Sequence, residues 1–135
     1  HKGSGSLAVS SMDKQKEYLI DTLFKLNAFD SECEAMVNHT FSLLSMSFKT
    51  LPREFFVSLY EKYGLIYFRQ QIKVIYGDLF SEEEIRQIIA FWASPTGRKL
   101  ASKSMTDKQK QAGTQWGSIL QQTCLSQLEE AEKKS

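Results

Sequence analysis

The apolar positions of this chain recur every three or four residues, which is the spacing of one face of an α-helix. Leu19, Leu23 and Leu26 show this spacing and predict a first helix over residues 13–27. A segment at 65–76 keeps the same spacing, although its β-branched residues would also suit a strand. Because the sequence shows no partner strand, we predict a helix there as well.

The predicted helix starts carry residues that satisfy or tolerate the open backbone groups of a first turn. Ser31 with Glu34, and Ser81 with Glu84, have the spacing of a reciprocal capping box. Pro52 suits the first position of a helix, where its missing N–H costs nothing. Ser31 thus marks the start of the second predicted helix, Pro52 that of the third, and Ser81 that of the fifth.

The second half of the chain carries two predicted helix ends. Gly77 is expected to end the fourth helix in a left-handed conformation. Pro95 is expected to end the fifth helix and to start a sixth segment, with Ser94 as its cap. This sixth segment should reach Glu130 or beyond, with a bend or an interruption near 104–107, where Thr106 would cap the restart. Seven of its residues are expected to face inward: Met105, Ala112, Trp116, Ile119, Leu120, Cys124 and Leu128.

Length and composition fit one globular domain. The 135 residues are 41% hydrophobic and 24% charged, which supplies a core and is too little charge for a disordered chain. We predict an all-α, single-domain helical bundle of about five to six helices over 13–132. Residues 1–6, with the sequence HKGSGS, are expected to be a tag remnant, and 7–12 a flexible N-terminus. No run reaches the ~20 apolar residues of a transmembrane segment.

The sequence assembles no candidate catalytic, metal or cofactor site, so we expect no enzyme activity and no cofactor. Cys33 and Cys124 are expected to be buried thiols in a reducing compartment, with a disulfide as the alternative outside the cytoplasm. His39 is six residues from Cys33, so the two face different sides of a helix and cannot form a catalytic pair. One native histidine and two separated cysteines fall short of a zinc site. The net charge of +1 gives no overall attraction to nucleic acid.

The segment 76–99 combines an aromatic pair, a capped acidic helix start, an aliphatic helix and a proline–glycine corner. This pattern resembles a bacterial family known only as domain of unknown function number 2059, with looser similarity over residues 15–125. Ten residues carry the resemblance: Tyr76, Phe80, Ser81, Glu84, Phe91, Trp92, Ser94, Pro95, Gly97 and Lys99. Trp92 stands where the family usually has tyrosine, which removes a phenolic hydroxyl.

The resemblance implies an α-helical domain that bacteria export to the periplasm or the cell surface, and it implies no activity. We expect the ten signature residues to specify a helix–corner–helix unit, with a docking surface as the alternative. Gly97 is expected to let two helices approach closely at this corner.

Two functions are compatible with these features. The first is a non-enzymatic module that binds an unknown protein partner or an envelope component. The second is a small carrier that holds a lipid or another apolar ligand between aromatic-rich helices. Four residues would line its groove: Tyr60, Tyr63, Tyr67 and Phe68. Arg98, Lys99 and Lys103 are a candidate anion contact. The sequence leaves open whether the final amphipathic segment completes the core or pairs with a neighbouring chain.

Overall fold

The computed structural model of this protein describes residues 12–134, and that range contains helices and no strand. The helices are α1 (Lys14–Leu26), α2 (Phe29–Ser47), α3 (Arg53–Tyr63), α4 (Leu65–Leu79), α5 (Glu82–Ala93), α6 (Pro95–Leu100) and α7 (Lys103–Lys134). The predicted all-α fold is confirmed, and the predicted sixth segment is divided into α6 and α7. The expected tag remnant at 1–6, and all but Met12 of the expected flexible N-terminus at 7–12, lie outside the described residues.

The chain divides into two compact units, with the boundary between Gly97 and Arg98. In the first unit α1 packs against α5, α4 and α2, while α3 packs against α4 and α2. The second unit contains α7. A single domain over 13–132 stays a prediction.

The core of the first unit is centred on α1, whose apolar stripe has the predicted position. Five residues form the buried cluster: Leu19, Ile20, Leu23, Phe24 and Ile85. Phe24 is fully buried, and its ring centroid lies 4.4 Å from that of Phe29 and 5.1 Å from that of Tyr76. Partly buried side chains from α4 and α5, including Ile72 and Trp92, close the cluster. The core therefore uses the first, fourth and fifth helices more than the third.

A partly buried ionic network joins α4 to α1 and α2. The side chain of Lys73 is only 6% exposed, and its Nζ lies 2.9 Å from Glu17 Oε2 and 3.1 Å from Asp21 Oδ1. Arg69, one turn earlier, donates to Asp21 at 2.9 Å and to Asp30 at 2.6 Å. Burial alone would lower the pKa of Arg69, but its hydrogen bonds to Asp30 and Asp21 outweigh burial and raise that pKa. Because both cations have carboxylate partners, the network holds three helices together without an unpaired buried charge.

The predicted start of the second helix is wrong by two residues. α2 begins at Phe29, because Ala28 adopts a left-handed conformation with φ of 65° and the backbone turns there. Ala28 occupies the N-cap position, and the side chain of Asn27 accepts a hydrogen bond from the N–H of Phe29, the first residue of the helix, at 2.9 Å. The hydroxyl of Ser31 instead donates to the carbonyl oxygen of Ala28 at 3.1 Å.

The predicted cap at Gly77 is also wrong, because α4 continues through this residue to Leu79. Lys16 donates a hydrogen bond of 2.6 Å to the carbonyl oxygen of Gly77, which ties this turn of α4 to α1. Other boundaries are close to those predicted. Gly64 separates α3 from α4, and Pro52 immediately precedes α3 rather than occupying its first position.

In the second unit, α7 begins earlier than predicted. Ser102, not Thr106, provides the cap, since its Oγ accepts the N–H of Met105 at 3.2 Å. The predicted inward stripe of this helix is wrong as well: all seven of its residues are exposed, Trp116 at 64% and Ile119 at 63%. An apolar stripe needs a facing element, and the unit 98–134 contains no second long helix.

Candidate functional site

An open groove of about 760 Å³ lies between α2 and α3 in the first unit. Its apolar lining comes from Phe41 of α2, from Leu51 in the connection, and from Phe56, Val57 and Tyr60 of α3. The polar lining consists of Asn38, Ser42 and Ser45 on α2 and of Arg53 and Glu61 on α3. The groove is thus an apolar trough with polar groups along its edges.

One pair of contacts fixes the separation of the two helices along the groove. The rings of Phe41 and Tyr60 meet edge to face with their centroids 5.0 Å apart. The hydroxyl of Tyr60 donates to Asn38 Oδ1 at 3.2 Å, so the tyrosine bridges the groove at this level. Elsewhere the apolar lining stays in contact with solvent, with Leu51 39% and Val57 46% exposed.

The helix α3 exposes these side chains because it has only one packed side. None of its residues is fully buried, although six of the eleven are aromatic or aliphatic. The neighbouring Phe55 is 44% exposed and Phe48, at the end of α2, is 54% exposed. The helix α3 thus exposes apolar side chains on more than one face, and those that line the groove form a patch of the kind that marks interaction sites on monomeric proteins.

The four aromatic residues predicted to line a groove do not share one site. Only Tyr60 lines the α2–α3 groove. Tyr63 and Tyr67 pair with each other edge to face at 5.1 Å across the α3–α4 junction, and both are nearly half exposed. Phe68 is partly buried on α4. The sequence did not identify the other groove residues, because an apolar stripe has the same spacing whether another element covers the helix or solvent does.

The first part of the family signature builds the junction between α4 and α5. Tyr76 and Phe80 contact each other at 5.6 Å and pack against the buried core. Ser81 Oγ accepts the N–H of Glu84 at 3.1 Å, and Glu84 Oε1 accepts the N–H of Ser81 at 2.9 Å. The predicted capping box at the start of α5 is therefore confirmed.

The second part of the signature builds the corner between α5 and α6. Ser94 Oγ accepts the N–H of Gly97 at 3.1 Å and donates to the carbonyl oxygen of Phe91, while Pro95 is the first residue of α6. A Cβ at Gly97 would lie 2.6 Å from the Cα of Trp92 and closer still to the Phe91 carbonyl oxygen. This corner closes only around a glycine, and its partly buried Trp92 packs on the core.

Three cationic residues were predicted to form an anion contact, and they lie on adjacent turns of the second unit. Arg98 and Lys99 are exposed near the end of α6. Lys103, the first residue of α7, forms an ion pair of 2.7 Å with Asp107, and its side chain is 87% exposed. The anion contact stays a prediction, with part of its charge already neutralised by Asp107.

The two cysteines are separate thiols in this structure, one buried and one exposed. Burial, and then the carboxylate of Asp30, raise the pKa of Cys33, whereas Arg69 acts in the opposite direction. Cys124 is exposed on α7, contrary to the prediction that both thiols are buried. Residues 12–134 contain no group of three side chains suited to hold a metal ion. Among the helices in this range, none combines the length and apolar character that crossing a bilayer requires.

The second half of the chain is thus an all-helical segment with a capped helix, a serine–proline–glycine corner and a long exposed helix. Residues 67–123 match the model of the family described as "Uncharacterized protein conserved in bacteria (DUF2059)", which confirms the resemblance drawn from 76–99. The matched range extends from α4 into α7 and leaves the looser upstream similarity outside it. Neither the curated proteins nor the solved structures include a match to the chain.

Proposed function

We propose that this protein is a non-enzymatic binding module of the bacterial envelope, and that its α2–α3 groove receives an apolar helix of a protein partner. The observation that carries this proposal is the open groove with its half-exposed apolar lining. Export to the periplasm or cell surface rests on the family resemblance. The ten signature residues would then serve mainly to build the scaffold that presents the groove.

The shape and chemistry of the groove favour a helical partner. Two helices with an apolar trough between them accept a third amphipathic helix, whose residues at i, i+3, i+4 and i+7 enter the trough. Arg53 and Glu61 lie on the same helix eight residues apart, which corresponds to about 12 Å. Charges of opposite sign at that separation would orient the bound helix, with acidic side chains near Arg53 and basic ones near Glu61.

A carrier of a small apolar ligand is the second candidate, and the volume of the groove favours it. About 760 Å³ falls within the range of small-molecule pockets. The groove is open along one side, however, so an acyl chain lying in it would keep part of its surface in water, which lowers the gain from burial. For this reason we rank the protein partner first.

The test compares two charged substitutions on apolar residues of the first unit. Val57→Glu places a carboxylate in the groove, whereas Ile66→Glu places one on α4, where the side chain is 74% exposed and does not line the groove. Each tagged variant is used to capture proteins from a bacterial envelope fraction, and the captured proteins are quantified by mass spectrometry. Circular dichroism checks that each variant is folded.

We expect the wild-type protein and Ile66→Glu to recover the same partner, and Val57→Glu to recover at least ten-fold less of it. Equal recovery of the partner by Val57→Glu and the wild-type protein would show that the groove does not bind the partner. Native mass spectrometry of the purified protein addresses the second candidate. Co-purifying apolar mass that is displaced in Val57→Glu would favour the carrier over the protein-binding module.

A further inference from the structure

One face of the long helix α7 carries apolar side chains and no charge over more than four turns. Successive residues of an α-helix are turned by about 100°, so the angle of each position around the axis follows from its number. We define the Trp116 face as the positions within 103–128 that lie within about 60° of Trp116. Its apolar members are Met105, Ala112, Trp116, Ile119 and Leu120, and its remaining members are uncharged. All five apolar residues are exposed to solvent, Trp116 by 64%.

Positive charge surrounds this face. Residues 98–128 contain five lysine and arginine side chains and one carboxylate, that of Asp107. Lys108 and Lys110 lie about 80° and about 120° from Trp116, one on each side of the face, whereas Asp107 lies directly opposite Trp116. Within the part of the chain that the structure describes, neither Lys108 nor Lys110 forms an ion pair with a carboxylate. Both are exposed, so their charges are available to an external anion.

An exposed apolar face between unpaired lysines matches the surface of a bilayer that contains anionic lipids. A helix lying in that surface buries its apolar face below the headgroups, while lysines on its flanks contact the lipid phosphates. Tryptophan at the centre of the face suits this depth, because its ring is apolar and its N–H can stay near water. The carboxylate of Asp107 would point away from the lipid into solvent. A polyanion such as DNA would use the lysines but not the apolar face.

We propose that α7 binds the surface of anionic phospholipid bilayers through the Trp116 face, with Lys108 and Lys110 contacting the headgroups. The helix lies along the bilayer surface. The proposal does not depend on the α2–α3 groove, because none of the groove residues belongs to α7. A protein attached in this way would present its groove close to a membrane.

The first test measures the contribution of charge by cosedimentation of the protein with vesicles. One set of vesicles contains equal parts of phosphatidylcholine and phosphatidylglycerol, and the other contains phosphatidylcholine alone. We expect at least ten-fold tighter binding to the anionic set. Each lysine near an anionic surface contributes about five-fold in affinity, so Lys108→Gln/Lys110→Gln should bind the anionic set about 30-fold more weakly.

Lys14→Gln/Lys25→Gln is the matched control, because it removes the same charge from two exposed lysines of α1. We expect it to weaken binding to the anionic vesicles less than three-fold. No binding of the wild-type protein to these vesicles, equal binding to both sets, or equal losses in the two double variants would overturn the proposal.

The second test separates the Trp116 face from the opposite side of α7. Leu120 and Leu125 are both 46% exposed, but Leu120 belongs to the Trp116 face, whereas Leu125 lies about 180° from Trp116. Leu120→Gln should weaken binding to the anionic vesicles at least ten-fold, because an apolar side chain no longer enters the lipid, and Leu125→Gln should weaken it less than two-fold. Binding should also shift tryptophan emission to shorter wavelength, and Trp116→Phe should abolish that shift. Equal effects of the two leucine variants, or binding without a shift from Trp116, would overturn the proposal.

Two other occupants of the face give different results in the same experiments. Self-association of the protein without vesicles, abolished by Leu120→Gln, would assign the face to a second copy of the chain. Binding to a short DNA duplex as tightly as to the anionic vesicles would show a general affinity for polyanions. Either result would overturn the proposal.

Discussion

Replacing Gly97 by alanine should destabilise the first unit, because the corner between α5 and α6 has no space for a Cβ. The added atom would lie 2.6 Å from the Cα of Trp92 and closer still to the carbonyl oxygen of Phe91. Both obstacles are backbone atoms, so no side-chain rotation can relieve the contact and the two helices must separate.

The magnitude follows from two opposing contributions. Overpacking in a well-packed region costs typically 1–3 kcal/mol, and backbone obstacles place Gly97→Ala near the top of that range, at about 3 kcal/mol. Alanine gains about 1 kcal/mol over glycine as a helix former. The net loss is therefore about 2 kcal/mol, which corresponds to a decrease in Tm of about 10 °C for a unit of this size.

Gly113→Ala is the matched control, because it is the same substitution at a helical glycine with nothing within 4 Å of the added atom. Here only the helix-propensity gain applies, so amide exchange near the middle of α7 should slow by a factor of about 2–5. The unfolding free energy of the first unit should stay unchanged.

The assay is urea unfolding followed by tryptophan fluorescence in a Trp116→Phe background, so that Trp92 is the only remaining tryptophan and reports on the first unit. We expect a lower urea midpoint for Gly97→Ala and an unchanged midpoint for Gly113→Ala. Equal midpoints for the two variants would refute the close approach at the corner.

Three further predictions address the ionic network, the capping box and the buried thiol. Lys73→Met should lower the free energy of unfolding, measured by urea unfolding, by about 2 kcal/mol. Removing one partner of a fully buried ion pair costs more than this, but the side chains of Glu17 and Asp21 are about one-third exposed, so water can solvate their carboxylates in the variant. An unchanged midpoint would mean that the network contributes nothing. Ser81→Ala should cost about 1 kcal/mol in the same assay, as loss of a helix cap does, and no change would contradict the cap. In a Cys124→Ser background at neutral pH, Cys33 of the folded protein should react with a thiol reagent at least a hundred-fold more slowly than Cys33 of the protein unfolded in urea. Burial blocks access of the reagent to the thiol, and it also raises the pKa of Cys33, which keeps the thiol protonated. Reaction at the unfolded rate would show that the thiol is accessible.

The sequence was most informative where local chemistry decides the structure. The capping box at Ser81 and the break at Pro95 depend on residues within one turn, and both have the predicted geometry. The start of α2 was missed because the left-handed conformation of Ala28 is unusual for a residue with a Cβ and carries no sequence signal. Gly77 was misjudged because the hydrogen bond from Lys16 that ties down this turn comes from a distant part of the chain.

The candidate groove and the exposed apolar residues of α7 show the limit of reasoning from periodicity. An apolar stripe predicts that one face of a helix avoids water, but it does not say whether the same chain provides the cover. The stripe of α1, around Leu23, is buried by its neighbours, whereas those of α3 and α7, around Val57 and Trp116, are exposed. The ionic network could have been anticipated, since Glu17 and Asp21 share the four-residue spacing of Arg69 and Lys73.

Site-specific photocrosslinking in bacterial cells shows directly whether the signature builds the scaffold while the α2–α3 groove binds the partner. A photoreactive amino acid is placed at Val57 in the groove, or at Thr96 and Lys99 on the exposed side of the signature corner. We expect one discrete protein adduct from Val57 and none from the two corner positions. Adducts at Thr96 and Lys99, with none at Val57, would contradict this expectation and make the signature itself the docking surface.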